Sequence, residues 1–514
     1  MHSQVKRLAA IDIGTNSFHA VIVEVSPDGS YLTLDTHKEM VELGPDVSRN
    51  FLSKETMSRA IDAMKYIHRL CENRQVETIL AYATSAIRES KNGGEFIQSV
   101  IDETGIKIQA IPGIREAQLI GLAVQHAITL SEEPVLIIDI GGGSVEFIIC
   151  NKEKTFFLES LKIGVSRSAA QFVKNDPISK SEIEELRSFY SKAIDSVLNA
   201  VKKFKPIALV GSSGTMENIA GMISIRLHGT LPSSINQFQY EKKDLDKLIK
   251  EFIPLKHSAR LEFSGLDTKR VDFIVPGMIL TQLLLEKTEF NVIKTSSFAL
   301  REGMILDFIQ ANANQFSLLG EFPDIRQRSI YQLLRKCNWH EKHSLQVAKL
   351  ALCLFDQLRN EHGLNENDRE LLEYACLTHD IGYHISHKSH HLHALYLIQH
   401  ADLLGFDQNE IAIIAHVARY HRRSTPKKRH LIYQELPKDI RKRIKKLSAF
   451  MRVADGLDRS HFQNIVDIKV SLSESLITLT LKADSDPQVE IWGALRKCEL
   501  FEDLFKRKLE ILVE

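Results

Sequence analysis

The sequence predicts an α/β protein: two similar α/β domains in tandem, then an all-helical domain and a small α/β tail. Three observations predict it. A strand–turn–strand pattern occurs twice, at an offset of 127 residues. Strand-like runs stop near residue 310 and helical periodicity takes over. Near 466–482 an alternating apolar–polar pattern returns. The 514 residues suffice for three or four domains of roughly 100–200 residues each. We therefore divide the chain into α/β domains over 1–130 and 131–310, a helical domain over 311–464 and a small α/β domain over 465–514.

The first domain reads β-β-β-α-β-α-β-α. LAAIDIG (8–14), FHAVIVEV (18–25) and YLTLDTH (31–37) are rich in β-branched and apolar residues and are separated by polar turns. Met57, Ile61, Met64, Ile67, Leu70 and Cys71 lie at helical spacing over 55–73. ETILAYAT (77–84) and KIQAIPG (107–113) read as strands, and 115–128 reads as a helix. The pattern then restarts. Ile11, Asp12, Ile13, Gly14 and Ser17 recur as Ile138, Asp139, Ile140, Gly141 and Ser144. A repeat of this length implies two facing α/β domains and not a solenoid. The second copy continues with a strand at 155–161, a helix at 181–202, a strand at 207–211, a helix from Thr215 and a long helix over 271–287. Of the 21 histidines, 13 fall between His340 and His430, in the helical domain. The tail reads as a hairpin with Ser-Glu-Ser at its turn, followed by a strand and a closing helix near 488–512.

Composition narrows the function classes. Hydrophobic content of 44% with 26% charged residues excludes a mostly disordered or fibrous chain. The 66 basic residues balance 66 acidic ones, which argues against a general nucleic-acid coat protein. No apolar run approaches the roughly 18 residues that span a bilayer. The opening MHSQVKRLAAIDIG has no signal-peptide core. Cys71, Cys150, Cys337, Cys353, Cys376 and Cys498 are scattered, the pattern of free thiols in a reducing compartment. A cytoplasmic protein is the expectation.

The turns carry the chemistry. Asp12-Ile-Gly14-Thr15-Asn16-Ser17 and Asp139-Ile-Gly141-Gly142-Gly143-Ser144 each follow a buried strand. Glycine lets backbone approach a ligand, and successive N–H groups with small hydroxyls can surround phosphate oxygens. One such turn could be a tight hairpin and nothing more; two matching copies point to a shared site. Gly211-Ser212-Ser213-Gly214-Thr215 opens a helix, where an anion is also favoured, although Ser and Thr cap helices without any ligand.

Two tandem copies of strand, Asp-x-Gly turn and strand resemble the actin, sugar-kinase and heat-shock ATPase superfamily, a duplicated ribonuclease-H-like fold with an interdomain cleft. More closely, AAIDIGTNSFHAVIVE, YATSAIRES, PGIREAQLIG, IIDIGGGSVEF, ALVGSSGTMENIA and RVDFIVPGMIL resemble the exopolyphosphatase / guanosine pentaphosphate phosphohydrolase (Ppx/GppA) family, in its order and spacing over 1–310. The remainder resembles the longer members, which carry a C-terminal HD-type domain. The resemblance implies hydrolysis of terminal phosphoanhydride bonds with Mg2+ assistance. It makes Glu116 the catalytic base, Asp139 and Glu146 ligands of Mg2+ or of the attacking water, and Arg88 a phosphate-binding arginine. Gly14, Thr15, Asn16, Ser17, Gly141, Gly142, Gly143, Ser144, Gly211, Ser212, Ser213 and Gly214 then bind phosphate. Arg270 is a weaker candidate for the same work. The family usually has two adjacent acids where this chain has Arg115 and Glu116. Without the resemblance, Glu116 would read as a first-turn helix acid favoured by the dipole.

His343, the pair His379-Asp380 and the distant Asp455 follow the ligand order of HD metal-dependent phosphohydrolases, which implies a second divalent metal in the helical domain. His384, His390, His391, His416 and His421 lie nearby in sequence and could extend that site to two metals. Residues 422–446 hold eleven Lys or Arg against Glu435 and Asp439. Such a run is usually a solvated face, yet it could also steer a polyanion. No aromatic residues interleave it in the manner of a base-stacking surface, so no specific nucleic acid is expected. Inorganic polyphosphate is the first substrate expected, and guanosine pentaphosphate the alternative. A kinase of the same superfamily and a non-catalytic nucleotide-binding regulator remain as further readings. The resemblance also implies a homodimer, and the basic run leaves room for peripheral membrane association.

Overall fold

The computed structural model describes residues 6–27, 29–43, 50–232, 234–312 and 324–514. The chain forms two compact units, Met1–Ile325 and Arg326–Glu514. The start of the expected helical domain at 311 adjoins the span 313–323, which lies outside the described residues.

The first unit holds two sheets. The first has β1 (Lys6–Ile13), β2 (Ser17–Val25), β3 (Tyr31–Met40), β4 (Thr78–Ala83) and β5 (Ile108–Ala110), in the order β3-β2-β1-β4-β5. The second has β6 (Val135–Ile140), β7 (Val145–Cys150), β8 (Thr155–Leu161), β9 (Leu209–Ser212), β10 (Gln239–Glu241) and β11 (Val292–Thr295), in the order β10-β11-β9-β6-β7-β8. Without β10 the two orders correspond strand for strand. In each, an antiparallel three-strand meander is followed by a strand parallel to the first. The repeat seen in the sequence is therefore a duplicated ribonuclease-H-like fold.

Alternation explains how the layers are filled. Ala9, Ile11 and Ile13 of β1 face one core with Ala60, Ala63, Met64, Ile67 and Cys71 of helix Lys54–Asn73. Met57, Ile61 and Leu70 flank that core half-buried. Leu8 and Ala10 point the opposite way, into a core shared with Ile137 of β6, Ile148 of β7 and helices Gly113–Ala127 and Leu300–Ala311. Strands β6 and β7 are buried along their whole length, which is why they read as continuous apolar runs.

Three elements differ from expectation. The strand expected at 107–113 is only Ile108–Ala110, because Pro112 caps helix Gly113–Ala127 and cannot donate to a ladder. The helix expected at 181–202 is two, Lys180–Ala193 and Asp195–Phe204, separated by Ile194, whose ψ of 10° leaves the helical region. In the tail the order is reversed: helices Gln488–Leu495 and Glu499–Phe505 precede strand β14 (Lys508–Val513). Strands β12 (Ile465–Leu472) and β13 (Leu476–Ala483) form the expected hairpin, and β14 pairs parallel to β13. Parallel pairing needs a crossover of a dozen or so residues, and the two helices supply it.

The second unit is built on helices Ile325–Lys336, Glu341–Gln357, Glu366–Thr378, His390–Gln399, Gln408–Arg419 and Lys438–Gly456. Ile465, Ile468, Ile477, Leu479 and Leu481 of the tail sheet belong to the same apolar core as these helices. The six cysteines are free. Among the described residues no helix is long and apolar enough to cross a membrane.

Candidate active site

The two glycine hairpins are built alike. Asp12 opposes His19 across β1–β2, and Asp139 opposes Glu146 across β6–β7. Directly opposed residues of an antiparallel pair share a face, so each hairpin presents two chemically active side chains together. Gly14 N–H donates to Ser17 O at 3.2 Å and Gly141 N–H to Ser144 O at 3.1 Å. A Cβ on Gly14 would stand 2.9 Å from Ser17 O, and one on Gly141 3.0 Å from Ser144 O. Both turns therefore need glycine for closeness of approach.

The turns meet across the cleft between the two sheets. Ser166 Oγ donates to Asn16 Oδ1 at 2.8 Å, and Thr15 Oγ1 lies 3.2 Å from Ser85 Oγ. Arg167 closes the same seam, donating to Gly143 O at 3.3 Å and to Glu89 Oε2 at 3.0 Å. A cavity of about 170 Å3 opens beside the contact. Gly14, Thr15, Asn16, Ser17, Gly141, Gly142, Gly143, Ser144, Ser213 and Gly214 line it, together with Glu116, Asp139 and Glu146. Ser213 is held at φ 83°, a strained setting for a residue with a Cβ, and its Oγ donates to Ile140 O at 3.0 Å.

Glu116 enters from the first turn of helix Gly113–Ala127 and is buried. Arg88 Nη1 donates to its Oε2 at 3.2 Å and to Ile111 O at 2.7 Å. Burial, and then the neighbouring Glu146 carboxylate, push the Glu116 pKa well above the ordinary range. Burial raises Glu146 to about 8, although Ser160 Oγ donates to its Oε1 at 2.7 Å. Burial likewise raises Asp12 to about 7 and Asp139 to about 6. Glu217 is the fifth carboxylate on the wall, also shifted upward by burial. Lys38, Arg270 and Arg301 oppose them on the same wall.

Asp139 Oδ2 is buried with no hydrogen-bond partner. This oxygen stands beside Glu146 among raised-pKa acids, and Arg270 and Arg301 act on Asp139 through their charge without a hydrogen bond to it. The donors are all hard oxygens, which suit Mg2+.

The structure relocates part of the expected site. Gly211 and Ser212 are not on the cavity wall. A Cβ at Gly211 would overlap the Met216 side chain, and the fully buried Ser212 donates to Phe298 O at 3.0 Å. Both hold the scaffold behind Asp139. Arg115 turns onto Asp307 at 2.6 Å, leaving Glu116 as the acid of that segment that lines the cavity. Sequence reasoning missed His19, Lys38, Glu217, Ser85 and Arg301. Arg301 Nη1 donates to His19 Nδ1 at 2.7 Å, so His19 carries its proton on Nε2, 2.8 Å from Ser17 Oγ. Burial and then Arg301 keep this imidazole neutral, its pKa pulled down to about 2.

The second unit gathers the other expected set. His343, His379, Asp380 and Asp455 are all buried and converge. His343 Nε2 lies 3.3 Å from His379 Nε2, 3.8 Å from Asp380 Oδ2 and 3.6 Å from Asp455 Oδ1. Of the five other histidines named from sequence, only His390 and His421 reach Asp380. Buried His416 has no hydrogen-bond partner for either ring nitrogen, and it stacks on Tyr420.

A duplicated ribonuclease-H-like fold with an acid-lined cleft between its halves places the first unit among the actin-like folds. Comparison with known proteins sharpens this. Residues 21–312 match the Ppx/GppA phosphatase family, and residues 325–504 match domain III of the same phosphatases. The chain belongs to the Ppx/GppA phosphatase family and is a phosphatase. It is similar to the crystal structure of an exopolyphosphatase from Cytophaga hutchinsonii, at 29% identity and TM-score 0.57, covering 60% of this chain and 98% of that one. It is also similar to the Aquifex aeolicus family member, at 26% identity and TM-score 0.52, covering 60% and 99%.

Proposed function

We propose that the chain removes terminal phosphate from inorganic polyphosphate by direct attack of water, with Glu116 as the base. The observation that carries this reading is that Glu116 lines the same cavity as both glycine hairpins. The base thus faces the cradle in which a terminal phosphoryl would sit.

Backbone N–H groups and hydroxyls of the two turns bind the phosphoryl oxygens. Lys38, Arg270 and Arg301 offset the charge of the chain behind it. Water attacks phosphorus in line, the bond to the bridging oxygen breaks, and the proton passes to a Glu116 carboxylate oxygen. The raised pKa makes Glu116 a stronger base than an exposed carboxylate, and Arg88 fixes its orientation. Asp139 and Glu146 are the residues that would hold Mg2+, which when bound supplies Lewis-acid stabilisation of the phosphoryl charge.

Seven cations of the basic run stand exposed in the second unit: Arg423, Lys427, Lys428, Arg429, Lys438, Lys442 and Lys445. They support contact with a long polyanion. Arg443 is used internally, donating to Asp368 at 2.6 Å.

The test is phosphate release measured side by side from long polyphosphate and from guanosine pentaphosphate. Faster turnover of the polymer is expected. Turnover of the nucleotide alone overturns the substrate assignment, and phosphorylated acceptors in place of free phosphate overturn hydrolysis in favour of a kinase.

A further inference from the structure

Strand β2 carries a cavity-lining histidine that the reaction as written leaves unused. We propose that His19 is a positioning residue: held by Arg301, it fixes the Ser17 hydroxyl as a hydrogen-bond donor to the terminal phosphoryl group, a task the matching Ser144 does not share. The inference rests on the reading of the first-unit cavity as a phosphoryl cradle.

Proton placement is forced from the outside in. A guanidinium only donates, and Arg301 Nη1 stands 2.7 Å from His19 Nδ1. Nδ1 is therefore the bare nitrogen, and Nε2 carries the hydrogen. Nε2 lies 2.8 Å from Ser17 Oγ, so the ring donates to the serine and occupies one of its lone pairs. The hydrogen of the serine must then point away from the ring. Ser17 lines the cavity beside His19, and ionised phosphoryl oxygens bound there would only accept. The relay from Arg301 through His19 to Ser17 thus ends in an O–H offered to an anion. Burial and the Arg301 charge keep the imidazole neutral, so the relay holds one sense across ordinary pH.

The second hairpin is wired the other way. Residues two apart on a strand share a face, so the side chain two places on decides what each serine meets. Glu146 stands where the first hairpin has His19. The Ser144 side chain hydrogen-bonds the Glu146 carboxylate. An ionised carboxylate only accepts, so Ser144 spends its hydrogen there and turns lone pairs outward. Serines at equivalent places in the repeat therefore meet a bound group with opposite polarity. Outward lone pairs suit a water or a cation. An O–H suits an anionic oxygen, and hydrogen bonds to ionised groups are the stronger kind.

The test uses the full chain with His19→Gln, His19→Asn, Ser17→Ala, and His19→Asn combined with Ser17→Ala. Gln offers an amide N–H in place of Nε2 and an amide oxygen to Arg301. Asn, one carbon shorter, can meet Arg301 without reaching Ser17. Each chain is titrated calorimetrically with inorganic phosphate in the presence of Mg2+ and assayed for phosphate release from polyphosphate. Ser17→Ala and His19→Asn should each weaken phosphate binding and kcat/KM by about tenfold, whereas His19→Gln should stay within about threefold of wild type. On the Ser17→Ala background, His19→Asn should cost no more than about twofold further, because its effect runs through the hydroxyl. Unchanged thermal unfolding reports that the variants are folded. Binding is read without turnover: this pattern in a chain that leaves polyphosphate uncut supports the role of His19 and refutes the substrate. A wild-type chain that binds no phosphate overturns the cradle and this inference with it. A His19→Asn chain that binds phosphate as wild type does, or a loss that persists in full on the Ser17→Ala background, overturns the inference alone.

Discussion

Replacing Glu116 by Gln tests the proposed base most directly. The change preserves shape: the amide oxygen can accept from Arg88 Nη1 as Glu116 Oε2 does at 3.2 Å, and Arg88 keeps its bond to Ile111 O. It removes a buried carboxylate that Glu146 repels, so the fold should be unharmed, with stability changed by no more than about 1 kcal/mol. Turnover should fall by a factor on the order of 10² to 10⁴, the worth of a positioned base. The pH profile gives a second readout. A base must be deprotonated, so wild-type kcat/KM should rise with pH through the elevated Glu116 pKa. The variant should lose that limb. Phosphate release from polyphosphate over a pH series, with thermal unfolding in parallel, measures both. A folded variant within about threefold of wild type across the series would refute Glu116 as the base.

Three further outcomes follow from the geometry. A Cβ on Gly143 would overlap Ser85 Oγ and come within 2.7 Å of Thr15 Oγ1. Gly143→Ala should therefore cost about 1–3 kcal/mol and depress kcat/KM by prising the turns apart, whereas Gly94→Ala, with open space around it, should leave both intact; denaturant titration and initial rates decide. Asp12, Asp139 and Glu146 have pKa values raised to about 7, 6 and 8. Without metal, the folded state then holds more protons than the unfolded state between about pH 4 and pH 8, so stability should fall as pH rises through that window, by about 3 kcal/mol or more. Mg2+ should restore it most at pH 8, and urea titrations at pH 5 and pH 8 with chelator or Mg2+ check the sign. Arg115→Ala breaks only a half-exposed pair with Asp307 and should change stability by about 1 kcal/mol or less, leaving kcat within about twofold of wild type.

Much of the first unit was legible because duplication preserved its most constrained positions. Asp12 and Asp139, Gly14 and Gly141, and Ser17 and Ser144 occupy matching places because both turns close with the same hydrogen bond. Glu116 and Arg88 were found through resemblance, since a first-turn acid and a helix arginine have no distinctive local pattern. His19 was hidden by the repeat itself: it stands where the second copy has Glu146. Lys38, Glu217 and Arg301 come from separate elements and meet only through topology. Gly211 and Ser212 misled because small residues look alike whether they face a ligand or pack a scaffold. In the second unit the convergence of His343, His379, Asp380 and Asp455 was readable from their order, but their neighbours Asp458 and Lys497 were not, because they come from segments with no distinctive local pattern.

The pairing of His19 with Asp12 where the other hairpin sets Glu146 beside Asp139 has a directional consequence. The cradle is nearly two-fold in its backbone and unlike in its chemistry: one side offers a neutral ring backed by a guanidinium, the other a pair of acids. A linear phosphate polymer has identical ends and no polarity of its own. Whichever end enters such a cradle, the sense of its travel would be written by the protein.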